Sequence, residues 1–226
     1  MPPNRYLIAA GPTREPIDPV RYIGNRSSGR LGVALADAAA RRGHATTLLL
    51  GPSGVFPSDP SVLTERFERA EELERLIRDR LHDRDIFIMA AAVADYRPRT
   101  RQADKIRREG PSLTIELEQV PDILAGLADV RRPHQLIVGF ALEPRSKLLE
   151  SAQAKLERKQ VDMIVANPLE TMDATTIEAL LIRHDAPPES VGSTHAPLDK
   201  QVFASMLIDR CDALLDARAD SRSASP

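Results

Sequence analysis

Five nearly continuous apolar runs are spaced along the chain, with amphipathic stretches between them. YLIAA (6–10), ATTLLL (45–50), IFIMAAA (86–92), QLIVGFA (135–141) and VDMIVA (161–166) have strand length and little polar alternation. Such runs fit strands covered on both faces, as in a parallel sheet. Between the first two, Leu31, Ala34, Leu35 and Ala38 recur at helical spacing, and Gly43 stops the pattern. Leu73, Leu76, Ile77 and Leu81 repeat it over 71–81, and a further helix is predicted over 146–159. Pro121 and Asp122 are placed as the first turn of another helix, where proline lacks no needed donor and an acid meets the positive dipole end. Strand and helix alternate, so the predicted architecture is α/β: a Rossmann-like, doubly wound, mostly parallel sheet.

The alternation breaks after Asn167. TTIEALLIRHD (175–185) and ESVG (189–192) read as strands separated by Pro187 and Pro188, with no crossover helix between them. Residues 168–198 are therefore expected to form a small antiparallel extension at or near a two-fold dimer interface. A last helix carries Phe203, Met206, Leu207, Cys211 and Leu214 on one stripe, which makes Cys211 a small core residue. One domain is expected over 1–217, followed by a disordered polar tail over 218–226.

Composition narrows the function classes. The formal net charge of the 226-residue chain is −2, so no global basic field points to nucleic acid or an anionic membrane. Aromatic residues are only 4% of the chain, too few for base-stacking platforms. A single cysteine rules out an internal disulfide framework, and no apolar run approaches the roughly 20 residues of a membrane span. A cytoplasmic protein is the expectation.

Three loops carry the candidate chemistry, and all of them follow strands on one edge of the expected sheet, where such folds bind ligands. Residues 11–30, GPTREPIDPVRYIGNRSSGR, replace the tight G-x-G-x-x-G turn of a dinucleotide site. Ser28 and Gly29 at the helix start form either an anion cradle of backbone amides or an ordinary capping turn. The polar load of Thr13, Arg14, Arg21, Asn25 and Arg26 favours a ligand loop. In AAAVADYRP (90–98), small residues allow a flat ligand close to the backbone, and Asp95 can accept from an amino group; a turn aspartate is the alternative. RPRTRQADKIRREG (97–110) is dense in Lys and Arg, either a solvated face or a lid over phosphates. Lys155 and Lys159 are four apart and share a helix face. No P-loop motif and no Cys/His cluster of metal-ligand spacing is present.

In sequence order, AAGPTREPIDPVRYIGNRSSGRLG, AAVADYRP, KIRR, LTIELEQVPDIL, VGFALE and KLERKQVDMIVAN resemble the bacterial phosphopantothenate–cysteine ligases of coenzyme A biosynthesis. The likeness extends to about Asn167 and, more loosely, over the last helix. It implies a homodimer that joins 4′-phosphopantothenate to L-cysteine using CTP and Mg²⁺, through an acyl-cytidylate, with release of pyrophosphate and CMP. In many bacteria this ligase is fused to a flavin-dependent decarboxylase, so a separate decarboxylase is a further expected partner. The resemblance gives Asn25 contact with the acyl-cytidylate, Arg21 a place in the same site, and Lys105 the role of lid lysine. It assigns the nucleotide to Met89, Ala90, Ala91, Asp95, Pro121, Asp122, Ile123, Leu124, Phe140, Lys155 and Lys159. Some positions depart from the family pattern. K-x-K-K becomes Lys105-Ile106-Arg107-Arg108, Asn-Pro-Asp becomes Val120-Pro121-Asp122, the lysine of S-S-G-K becomes Arg30, and A-N-D becomes Ala166-Asn167-Pro168.

Two rival readings differ in class: an NAD(P)-dependent Rossmann oxidoreductase and a non-catalytic nucleotide-binding module. Against the first, the tight glycine turn is absent, and LLLGP at the end of the second strand offers no acid for a ribose hydroxyl. Against the second, binding alone would not require both Asn25 and Lys105.

Overall fold

The computed structural model describes residues 3–108 and 110–223. From the amino end, β1 (Arg5–Pro12) leads into a hairpin of β2 (Arg14–Pro16) and β3 (Tyr22–Gly24), then α1 (Arg30–Arg41), β4 (Ala45–Leu50) and β5 (Leu63–Arg66). Helix α2 (Ala70–Leu81) and strand β6 (Ile86–Ala92) follow. A second hairpin, β7 (Tyr96–Pro98) and β8 (Leu117–Gln119), brackets the basic loop. Then come β9 (Leu136–Glu143), α3 (Leu148–Lys159), β10 (Met163–Pro168), β11 (Thr176–Ile177), β12 (Ala179–Ile182), β13 (Glu189–Val191), β14 (Leu198–Asp199) and α4 (Lys200–Ser223).

Eight strands form the central sheet in the order β13-β12-β10-β9-β6-β1-β4-β5. The six from β10 to β5 are parallel, while β12 and β13 add to the edge antiparallel. The doubly wound sheet with its small antiparallel extension is therefore present. Alternate residues of each buried strand face opposite layers. Tyr6, Ile8 and Ala10 pack with α1 and α4 residues such as Leu35, Phe203 and Leu207, and Cys211 is fully buried there. Leu7 and Ala9 face α2 and α3 residues such as Leu73, Ile77 and Leu156.

Helix α1 lies unusually close to β1 because Gly32 sits where they meet. A Cβ on Gly32 would come within 2.2 Å of the Ala10 Cβ. At the start of α1, Gly29 takes φ 76°, which glycine adopts without strain. Together they set the helix amino end against the carboxyl edge of the sheet.

Three expectations are corrected. Pro121 and Asp122 do not begin an α-helix; they lead into a single 3-10 turn at Ala125–Leu127. Asp122 caps that turn through the Ala125 amide at 3.3 Å, and Gly126 in its middle weakens continuation. The 175–185 stretch is not one strand: it divides at the buried Glu178, with β11 pairing β14 and β12 pairing β10 and β13. The tail expected to be disordered from 218 is helical through Ser223; 224–226 lie outside the described residues. Arg218 explains the extension, since its guanidinium reaches Asp162 Oδ1 at 2.6 Å and the Gln135 carbonyl at 3.2 Å.

Candidate active site

Strand order reverses between β1 and β6: the chain leaves β1 toward β4 and leaves β6 toward β9. A crevice opens beyond the carboxyl ends of two strands that part in this way. The loops after β1 and β6 are stitched together across it. Thr13, fully buried, donates its backbone N–H to the Ala92 carbonyl at 3.1 Å and accepts the Ala94 amide on its hydroxyl at 3.0 Å. Asn25 Nδ2 donates to the Val93 carbonyl at 2.9 Å while its side chain remains exposed.

On the β4 and β5 side, Arg14, Ser27, Ser28, Arg30, Ser53 and Arg66 line a pocket of about 610 Å³. None of its three guanidinium groups forms an ion pair with a described residue. Arg14 stands 4.5 Å over the Tyr22 ring, and Arg66 5.6 Å over Phe56. Aromatic faces hold a guanidinium without neutralising it. Ser28 does not cap α1 strongly: its Oγ is 3.5 Å from the Arg30 amide, and the helix has no acid in its first turn. The amide donors of α1 and three uncompensated cations thus face one space, an arrangement that favours an anion. Lys200, half-buried at the start of α4, adds to this field. Burial and the nearby Arg30 hold its ammonium below the usual lysine range. Nothing in the local sequence marks Arg66, which lines the pocket, or Lys200, which the fold brings near Arg30.

On the β6, β9 and β10 side, the expected nucleotide residues divide. Asp95 is exposed, and its backbone carbonyl accepts the Val120 amide at 2.9 Å. Ala90, Ala91 and Phe140 are half-buried at strand ends. Met89, Ile123 and Leu124 are buried in the core beneath the sheet, so their side chains serve packing and only their backbone can face a ligand. Lys155 and Lys159 are not solvent-facing. Lys155 Nζ lies 2.6 Å from Glu143 Oε1, and Lys159 Nζ 3.3 Å from Asp122 Oδ1. These pairs hold both ammonium groups toward the same edge, next to Pro121.

The basic loop lies against the first loop. Gln102 donates its amide to the Ile17 carbonyl at 2.9 Å, and Ile106 donates its own to Asp18 Oδ2 at 3.1 Å. Lys105, between them, is exposed. Arg21 does not point freely into the crevice: its guanidinium forks onto Asp18 and also reaches the Ile106 carbonyl at 2.9 Å. Asp18 joins the first loop to the basic loop, and its surroundings in the sequence do not mark it for that role. The Asp-Pro pair was a visible turn signal, but its lid partner stands 88 residues away.

Among the described residues, no group of three His, Cys, Asp or Glu side chains could hold a metal. With Glu143 and Asp122 each engaged by a lysine, the described residues offer no carboxylate cage for magnesium. No described helix is long and apolar enough to cross a membrane.

The chain is similar to known proteins over most of its length. It is 46% identical over 166 residues to a cysteine/cysteine sulfinic acid decarboxylase from an unknown prokaryotic organism, covering 74% of this chain and 46% of that protein. It is 45% identical over 164 residues to the coenzyme A biosynthesis bifunctional protein CoaBC of Escherichia coli K12, covering 71% of this chain and 40% of that one. The chain thus spans less than half the length of these relatives. The crystal structure of the C-terminal domain of a CoaBC protein superimposes with TM-score 0.80 at 33% identity, covering 95% of this chain and 96% of that domain. The family model described as the DNA/pantothenate metabolism flavoprotein C-terminal domain matches residues 2–214, and the chain belongs to that family.

Proposed function

We propose that this chain is a cytoplasmic, CTP-dependent phosphopantothenate–cysteine ligase. The observation that carries the reading is the switch point between β1 and β6, where the Asn25 amide bonds the Val93 carbonyl across the two loops, with an arginine-lined pocket on the β4 side and the Lys155 and Lys159 ion pairs on the β9 side. Likeness to the CoaBC C-terminal domain over nearly the whole chain supports the same activity. An NAD(P) site is less well supported, since the loop after β1 lacks the tight G-x-G-x-x-G turn and β4 is followed by Gly51-Pro52 with no acid for a ribose hydroxyl.

In the first step a carboxylate oxygen of phosphopantothenate attacks the α-phosphorus of CTP. The bond from that phosphorus to the bridging oxygen breaks, and pyrophosphate leaves. Anion meets polyanion, so cations must neutralise the approach. Lys105, Lys155 and Lys159 serve this, with Arg14, Arg30 and the amides of Ser28 and Gly29 receiving phosphate oxygens. Magnesium would arrive on the nucleotide, where it screens phosphate charge. Asp95 accepts from the cytosine amino group. In the second step the cysteine nitrogen attacks the acyl carbon, the carbon–oxygen bond to CMP breaks, and the amine proton passes to solvent or to the departing phosphate. Asn25 donates to the oxyanion that forms on the acyl group.

The test is pyrophosphate release from CTP and phosphopantothenate, with and without cysteine. About one equivalent per enzyme without cysteine and turnover with it is the expected result; no release in either case refutes the reading. A homodimer is proposed as well, and light scattering showing a monomer at micromolar concentration would refute it. So is association with a separate decarboxylase, which absence of co-elution with such an enzyme would refute.

A further inference from the structure

Asp18 is 2% exposed, and its side chain has no exposed surface at all. A carboxylate buried in a loop is costly unless donors satisfy it. Here the donors come from two segments. The Val20 and Arg21 amides each lie 2.8 Å from Oδ1, and these two bonds are what a local aspartate turn requires. The remaining donors exceed what a turn needs. Arg21 Nε is 3.0 Å from Oδ2, Arg21 Nη2 joins the same oxygen, and the Ile106 amide reaches it at 3.1 Å. Arg21 Nη2 closes the circuit by donating to the Ile106 carbonyl. The carboxylate and its arginine therefore grip both backbone groups of the residue after Lys105. The Gln102–Ile17 bond fixes the other side of that lysine. The Arg21 fork, chief among these contacts, holds the Asp18 carboxyl well below the usual carboxylate range.

We infer that Asp18 is a positioning residue: acting through Arg21 and the Ile106 amide, it holds the basic lid so that Lys105 stays over the reacting phosphate. The inference rests on the ligase reading for its kinetic consequence, while the clamp itself can be measured without catalysis. Arg21 is then a structural fork for the lid, with its guanidinium committed before substrate arrives.

The variant Asp18→Asn keeps the shape, loses the charge and turns an amide toward the Arg21 donors. Breaking a charged hydrogen bond of this kind should slow acyl-cytidylate formation roughly ten- to a hundredfold. Attack of cysteine on preformed acyl-cytidylate should stay within about twofold, because Lys105 acts in the first step. The Ile106 amide should lose hydrogen-exchange protection in the same variant. A merely structural aspartate would lower both half-reactions together. Arg21→Lys keeps the charge on an exposed side chain and removes the fork; it should show the same split if Asp18→Asn does not fold. Equal loss in both half-reactions, an unchanged first step, or an Ile106 amide that stays protected would each overturn the inference. A wild-type protein that releases no pyrophosphate would refute the ligase reading instead, leaving exchange at Ile106 to decide the clamp.

Discussion

The side-chain amide of Asn25 donates to the main-chain carbonyl of Val93 at 2.9 Å, joining the two loops that part at the centre of the sheet. Its nitrogen is anchored, which fixes the orientation of the whole amide at the crevice. The side chain carries no charge to offer a triphosphate. Its proposed effect falls on the acyl carbon. Removing one well-placed donor costs about 10²–10³ in rate. Asn25→Ala should form acyl-cytidylate with one equivalent of pyrophosphate and then stall, whereas Lys105→Ala should release little pyrophosphate. A quenched single-turnover assay with labelled CTP counts the intermediate. An Asn25→Ala protein with no first-step activity and no intermediate would contradict this division.

Nucleotide choice should depend on Asp95. Its exposed carboxylate can accept from the amino group of cytosine, while uracil presents a carbonyl there. A site built around a substrate hydrogen bond rejects an analogue that lacks it by orders of magnitude. The ratio of kcat/KM for CTP over UTP should be at least about a hundredfold. Asp95→Ala should lower CTP use and shrink the ratio; equal use of both nucleotides by the wild type would remove the basis for this role.

Gly32 tests the seating of α1. An added Cβ would meet the Ala10 Cβ at 2.2 Å, and the obstacle is strand, not a flexible side-chain tip. Gly32→Ala should destabilise the fold by about 1–3 kcal/mol, read by urea denaturation. Gly54→Ala is the control, since a Cβ there meets nothing within 4 Å.

The lid should resist acid. The folded carboxyl of Asp18 titrates below its unfolded value of about 3.9. Its contribution is therefore fully present above about pH 4 and is lost only as pH falls through the lower, folded value. Protection of the Ile106 amide, corrected for intrinsic exchange, should be constant from pH 8 to about pH 5. A midpoint near neutrality would mean that another group holds the lid.

The buried strands were legible because covering on both faces leaves continuous apolar runs. Leu63–Arg66 was not, because an edge strand is half-exposed and its sequence, LTER, is polar. The final helix read too short because Arg218 is held by Asp162, a partner that only folding supplies. Site residues followed the same division. Asn25, Asp95 and Lys105 lie in contiguous motifs, so the chain alone proposes them. Asp18, Arg66 and Lys200 gain their surroundings from segments distant in sequence, so the chain around them carried no signal. Ile123 and Leu124 show the converse: they belong to a legible motif, yet their side chains fill the core.

Helix α4 also ties the two edges of the sheet together. It starts at the crevice edge, where Lys200 meets the Thr171 carbonyl, and runs to the opposite edge, where Asp212 binds Asn4, Tyr6 and His44. The first strand begins at that same far edge. The start of β1 and the second half of α4 thus lie at the edge opposite the crevice. Those anchors seat the helix through groups that the crevice does not need.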